Sequence, residues 1–425
     1  MHQPRLFRGH HLPSVYRYSL LFGNLPSFPS QEPTSARGRK PYAPDLLLRL
    51  LIYRALRQIP TLSELAFELG NNPSLVDCLG LDPLRAVPSV ERFSHFLRVT
   101  PNSVLQQVRF TLVQGLIEAG AVTGKIVAMD SCPVEVRVRE NNLKTGFRAS
   151  RFDKTRPPKG DPEARLGVRI HFPRQRQKKV TFFWGYRNHT ITDVEAELPL
   201  CEHTHPANVS ELKTALSLLP RLQELPLGIE FVTADAEYDA EVFLQSIVNL
   251  GAQPIVARNP GSEQKIQYSI RNEKIYCPAD LPMSHRGKMT VKATGITYRQ
   301  YSCPLHWSKS LQRRFLLCPI AHPKFFEQKG CNVLLRMTPS VRSRIPYGSE
   351  LYQRVYTQRT GIERSFSRLL TLTLQHPTVR GLQAIQNHCT IAHIATLLVA
   401  LTAARLGEKD KIRWITSFLP RFLKK

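Results

Sequence analysis

Apolar positions in this chain follow two different periods, and the change between them divides it. From Pro44 the text PDLLLRLLIYRALRQ repeats apolar residues at helical spacing and is dense in good helix formers. Pro60 closes that helix, because proline lacks the N–H a helix interior needs. TLSELAFELG follows, with Thr61 and Glu64 in capping-box spacing and Gly70 at its end. PSVERFSHFLRVT and NSVLQQVRFTLVQGLIEAG predict two more helices, so residues 41–120 are expected to form an all-helical domain.

Beyond Gly124 the period shortens. KIVAMDS predicts a strand, LGVRIHF and KKVTFFWGY a hairpin, SELKTALSLLPRLQ a helix, and GIEFVTAD a strand. AEVFLQSIVNLG predicts a helix closed by Gly251, and QPIVARNP a strand closed by Pro260. This order fits an α/β fold over residues 125–261, a mixed sheet flanked by helices. Residues 262–345 break the rhythm with short β-like runs and several cysteines, and predict an inserted β-rich subdomain. Residues 346–407 return to a helical period. Residues 1–40, rich in Pro, Ser, Arg and Gly, predict an extended or mobile basic arm, and residues 408–425 a short basic tail.

The most apolar segment, TIAHIATLLVALTAAR, contains His393 and falls short of the ~20 residues of a spanning helix, so a buried core helix is expected. MHQPRLFRGHHLPS is not followed by an apolar signal stretch. The expected location is the cytoplasm, without a membrane partner. Charge then narrows the class of partner. The 425 residues carry a formal net charge of +26. Such an excess points to a polyanion, nucleic acid first, because phosphate neutralisation and counterion release supply most non-specific affinity. An anionic membrane surface is the blander alternative, and the text holds no concentrated basic amphipathic helix to favour it. The helical domain either contacts DNA, with helix-turn-helix geometry, or only buttresses its neighbour. The eight cysteines are scattered, which favours reduced thiols over a disulfide framework.

Three carboxylates stand out against this basic background. Asp130 ends the apolar run KIVAMD and Asp235 ends IEFVTAD, which predicts both at the rim of a buried sheet. Each also reads as a turn residue or helix N-cap. Tyr352, Tyr356, Arg359, Glu363, Phe366 and Leu370 form one stripe at helical spacing, predicting Glu363 on an inward face. Arg359 and Glu363 also read as a simple i,i+4 pair, worth about 0.2–0.5 kcal/mol. A buried-face charge needs a strong partner, and metal ions would serve. Three such acids suit a pair of hard divalent ions performing an in-line displacement at phosphorus. Arg359 would grip a phosphate and Tyr356 a neighbouring one.

With MDSCPV, TADAEYD, ARNP and the YxxRxxxE spacing from Tyr356 to Glu363, the chain resembles the DDE transposases of bacterial insertion sequences. The resemblance spans about residues 40–400. It implies a ribonuclease-H-like core with a β-rich insertion, and a catalytic and metal-binding triad of Asp130, Asp235 and Glu363. It also implies two Mg²⁺ or Mn²⁺ ions, with Tyr356 and Arg359 on transposon-end DNA. Hydrolysis at the ends would be followed by strand transfer into double-stranded target DNA, by a homodimer on paired ends. The pattern departs at one point: the Lys expected seven residues after the Glu is Leu370, and Arg368 lies elsewhere round the helix. Rival readings are an inactive transposase-derived DNA-binding protein and a metal nuclease without strand transfer.

Weaker signals complete the picture. The basic run after Arg137, with Arg148, Arg151, Lys154, Arg156 and Lys159, predicts a phosphate-binding track, or else a solvated loop. Trp184 and Tyr186 read as core residues before they read as base-stacking platforms. His189, His203 and His205 read as structural. Cys277, Cys303, Cys318 and Cys331, with His306 and His322, contain no CxxC pair, so structural zinc is not expected and free buried thiols are.

Overall fold

The computed structural model describes residues 14–28, 42–82, 86–139, 141, 156–174, 177–259, 268–272, 274–292 and 295–415. Its first elements are α1 (Ser14–Phe22), α2 (Pro44–Leu56), α3 (Leu62–Asn71), α4 (Pro73–Cys78), α5 (Val90–Val99) and α6 (Asn102–Glu118). Thr61 caps α3 as its sequence predicts, its hydroxyl accepting the Glu64 N–H at 3.0 Å. The arm expected over residues 1–40 is not extended where it is described. Residues 14–28 hold α1, and Tyr18, Leu21, Phe22 and Phe28 are buried, because aromatic and Leu side chains there find the main core.

A mixed sheet follows. Its strands are β1 (Ile126–Glu135), β2 (Arg165–Arg174), β3 (Gln177–Asp193), β4 (Leu198–Pro206), β5 (Phe231–Ala234) and β6 (Gln253–Val256). They run in the order β2-β3-β1-β5-β6, with β4 also on β3. β5 is parallel to β1 and β6, while β3 is antiparallel to β1, β2 and β4. Helices α7 (Glu211–Leu218) and α8 (Glu241–Asn249) join its later strands. Strand β4 is absent from the sequence reading. It is buried along most of its length rather than alternating, so no period of two marks it.

The stretch after β6 holds β7 (Ser269–Arg271), β8 (Lys274–Tyr276), β9 (Ser284–Val291), β10 (Ile296–Ser302), α9 (Pro304–Trp307), α10 (Lys309–Arg314), α11 (Pro323–Glu327) and β11 (Asn332–Arg336). β11, β10 and β9 form a small antiparallel sheet, and β7 and β8 a separate pair. The chain then returns to helix as α12 (Glu350–Thr357), α13 (Thr360–Thr371) and α14 (Leu382–Arg405).

Helix α14 organises the core. At 24 residues it is longer than its apolar text suggests, long and apolar enough to cross a membrane, yet its apolar window is wholly buried inside the molecule. It packs against α2, α5, α6 and β4, so the N-terminal helices and the sheet share one continuous core. Its polar residues are paired. Asn387 donates to the carbonyls of Leu97 (2.9 Å) and Thr100 (2.8 Å), and the Thr390 hydroxyl donates to the buried Glu202 carboxylate on β4 at 2.7 Å. A helix apolar all round is stable only where such partners surround it.

Candidate active site

Two neighbouring strands place the first two acids. Residues Ile126–Met129 of β1 pair in parallel with Phe231–Ala234 of β5, so Asp130 and Asp235 are the next residues along adjacent strands. Asp235 directly follows the end of β5, and it also caps the short turn Ala236–Tyr238, accepting the Glu237 N–H at 2.9 Å. Asp130 does not end its strand. β1 runs on to Glu135 because β3 continues to pair with it, with Asp130 opposite Thr190. Only on its β5 side does the pairing stop before Asp130.

The Asp130 carboxyl is pushed up to about 7, by burial first and then by the charge of Asp235; the Ser131 N–H, 2.7 Å away, works in the other direction. Beside the two aspartates opens a cavity of about 520 Å³, lined also by Glu211, Glu237, Arg169 and Arg187. Glu211 starts α7, where it pairs with Arg187 at 2.8 Å and accepts the Tyr238 hydroxyl at 3.1 Å. Arg187 also donates to Ser131 at 3.0 Å, fixing the wall next to Asp130. Sequence reading missed Glu211 and Glu237. Glu237 sits inside the quoted TADAEYD text, whereas nothing local marks Glu211.

Glu363 reaches this region from the other side, through Arg359. The Arg359 guanidinium is 2.7 Å from Glu363 and 3.5 Å from Asp130. Burial works against its charge, but Tyr356, Asp130 and Glu363 outweigh that and raise its pKa. Both readings of the pair are therefore present: an i,i+4 bond, and a link to the aspartates. The inward-facing Glu363 is corrected, however. Its side chain is 54% exposed. The predicted stripe breaks between α12 and α13, and the buried face of α13 is Gly361, Ile362, Ser365, Phe366 and Leu369. The phase shift at that break turns Glu363 to the rim. Gly361 makes the helix's approach possible, since a Cβ there would lie 2.8 Å from the Val194 carbonyl oxygen.

The other predicted site residues divide. Tyr356 is half-buried, stacked on Tyr352 with ring centroids 5.4 Å apart, and Arg359 lies 5.9 Å from its ring centre. Arg156 and Lys159 are exposed, while Arg148, Arg151 and Lys154 lie outside the described residues. Trp184 and Tyr186 are buried, as their core reading expects. His189 is fully buried with neither ring nitrogen hydrogen-bonded, and burial lowers its pKa to about 3, so it is neutral. Arg368 points away from the acids. With Arg364 and Arg413 it surrounds Glu197, at 2.7, 2.6 and 3.3 Å respectively.

The donor set suits a hard divalent cation: carboxylate oxygens crowd together, and one of them is too poorly compensated to ionise fully at neutral pH. Among the described residues no three His, Cys, Asp or Glu side chains stand at ligand spacing as placed. Arg359 occupies the position between Asp130 and Glu363.

The family model described as Transposase DDE domain matches residues 145–398, and that described as Transposase domain (DUF772) matches residues 26–98. Asp235 and Glu363 fall inside the first match and Asp130 just before it. No curated protein matches. Among solved structures, the cryo-EM structure of the piggyBac transposase synaptic complex with hairpin DNA aligns at 12% identity, over 98% of this chain and 84% of that one, with a TM-score of 0.37. The Mos1 transposase paired-end complex with left transposon end aligns at 14% identity, over 58% and 68%, with a TM-score of 0.16. At these TM-scores neither likeness bears on how this chain works.

Proposed function

We propose, on the premise that the chain belongs to the transposase DDE domain family, that Asp130, Asp235 and Glu363 are the catalytic acids of this DNA transposase. That class of enzyme cuts DNA, transfers strands and depends on divalent metal. The observation that carries the assignment is the adjacency of Asp130 and Asp235 on parallel strands, with Arg359 bridging from Asp130 to Glu363.

On this reading the three carboxylates hold two Mg²⁺ or Mn²⁺ ions, with Glu211 and Glu237 facing the same space. When bound, such ions lower the pKa of the attacking oxygen and offset charge on the leaving one. Asp130 holds a proton below about pH 7 and gives it up to become a donor. Arg359 exchanges its carboxylate partners for a phosphate oxygen as DNA arrives, and Tyr356, stacked on Tyr352, is held beside it. Arg156 and Lys159, both exposed, extend the phosphate track, together with Arg148, Arg151 and Lys154. The substrates are double-stranded transposon ends and target DNA, bound by a homodimer on paired ends in the cytoplasm, at the nucleoid. We read the sheet with its flanking helices as a ribonuclease-H-like core. The helices from α2 to α6 form the N-terminal domain, and the segment between β6 and α12 is the insertion.

The test is Mg²⁺-dependent cleavage and strand transfer on the element's own end DNA. Asp130→Ala, Asp235→Ala and Glu363→Ala are each expected to abolish both while leaving end binding measurable by gel shift. Full activity in any one variant removes that residue from the triad. Cleavage without joining of a pre-cut end would instead assign a nuclease.

A further inference from the structure

The segment between β6 and α12 is anchored at its end, where Val341 and Ile345 join the main core and Arg336 and Arg342 pair with Glu241 and Asp239, but its own core is small. Its own buried apolar cluster is Ile275, Cys277, Met283, Cys331 and Val333, and two of those five are cysteines. Leu316 (92%) and Leu317 (61%), in the same segment, stay exposed. So small a core supplies little stability, and a metal or disulfide cross-link adds most where the core is small.

Four cysteines from four separate stretches converge there. Cys277 follows β8, Cys303 follows β10, Cys318 lies between α10 and α11, and Cys331 precedes β11. All four line one small cavity of about 10 Å³, with His322 at its edge. None is in a disulfide. Two backbone features fit this convergence. A tight turn at Cys277, with Asp280 at φ +56°, lets the sulfur accept the N–H groups of Leu281 and Ala279; burial pushes the thiol up, and these two bonds work in the other direction. Gly330, at φ +78°, lets Cys303 lie against the backbone next to Cys331: a Cβ there would sit 2.8 Å from the Cys303 sulfur.

We propose that Cys277, Cys303, Cys318 and Cys331 form a structural four-thiolate site for a single zinc ion, which cross-links the segment between β6 and α12. The donors are soft sulfurs, which select zinc over the hard ions suited to the carboxylates. As placed, no three of these thiols are at ligand spacing. Binding therefore draws the sulfurs inward over the small cavity, to about 2.3 Å from the metal, and releases their protons. His322 has another role, since its Nδ1 accepts the Lys324 N–H at 3.2 Å as the cap of α11. The site is separate from the carboxylates and does not rest on the transposase reading.

The experiment is elemental analysis of the full chain purified without added metal. One zinc per chain is expected, and it should be lost in Cys277→Ser and in Cys331→Ser but kept in Cys78→Ser. Because a serine variant that fails to fold would also lose metal, the wild-type chain is stripped and titrated with Co²⁺. Sulfur-to-cobalt charge-transfer bands and tetrahedral d–d bands, at one equivalent, are expected. Wild-type protein with sub-stoichiometric zinc and no such bands overturns the proposal. So does stoichiometric iron in place of zinc, or a zinc content that falls in His322→Ala.

Discussion

Replacing Glu197 by Gln tests whether the helix carrying Glu363 is held in place electrostatically. Glu197 sits in the turn after β3, in the left-handed region at φ +55°, a conformation that costs a non-glycine residue about 1 kcal/mol or more. Its carboxylate is 5% exposed and is met by Arg364 and Arg368 of α13 and by Arg413 beyond α14. Burial pushes its pKa up, but the bonds from Arg364 and Arg368 and the charges of Arg368 and Arg413 outweigh that and hold it below the usual 4.5. Arg364 and Arg413 are 53% and 43% exposed, so solvent screens their share. Arg368, at 20%, carries most of the effect. Removing one partner of a buried pair costs about 3–5 kcal/mol, and the lower end applies here because two of the arginines can relax into water. Glu197→Gln is therefore expected to lose about 3 kcal/mol in urea denaturation, and Arg364→Ala no more than about 1 kcal/mol. The sign with pH follows from the depressed pKa. Wild-type stability from this group is present above about 4.5 and is lost as pH falls through the folded value, and the Gln variant lacks that loss. A variant within about 0.5 kcal/mol of wild type, with unchanged acid sensitivity, would refute the reasoning.

Three further outcomes follow. In chelator, Asp130→Asn should be more stable than wild type above about pH 7, and the gain should vanish toward pH 3.8, because the folded carboxyl is raised and its ionisation opposes folding; thermal denaturation across that range checks it. Gly361→Ala should displace α13 from Val194 and destabilise by about 1–3 kcal/mol, with end cleavage falling more than end binding. Stripping divalent ions should stop cleavage while a gel shift of end DNA persists, since phosphate contacts use the basic side chains.

What the sequence makes legible is what local chemistry decides. The Thr61 cap needs only its own turn, and the two apolar runs before Asp130 and Asp235 are enough to predict strands, though not that these strands are neighbours. Glu363 was misplaced because a helical stripe assumes one unbroken helix, and a break between Thr357 and Thr360 resets the phase. β4 and α14 carry polar residues whose partners lie far off in the chain, as with Glu202 and Thr390, so no local pattern explains them. The four cysteines of the insertion show the same limit. Their spacing along the chain carries no signal, and only the packing of β8, β10, β11 and the turn between α10 and α11 sets them around one cavity.

The late place of α14 relative to the helices it packs against governs how the chain is made. Helices α2, α5 and α6 emerge from the ribosome with apolar faces whose partner is still untranslated. Until about residue 405 is released, those faces have no native surface to cover them. A message truncated before Leu382 is expected to yield helices that aggregate or are degraded, which a solubility assay of residues 1–381 would check.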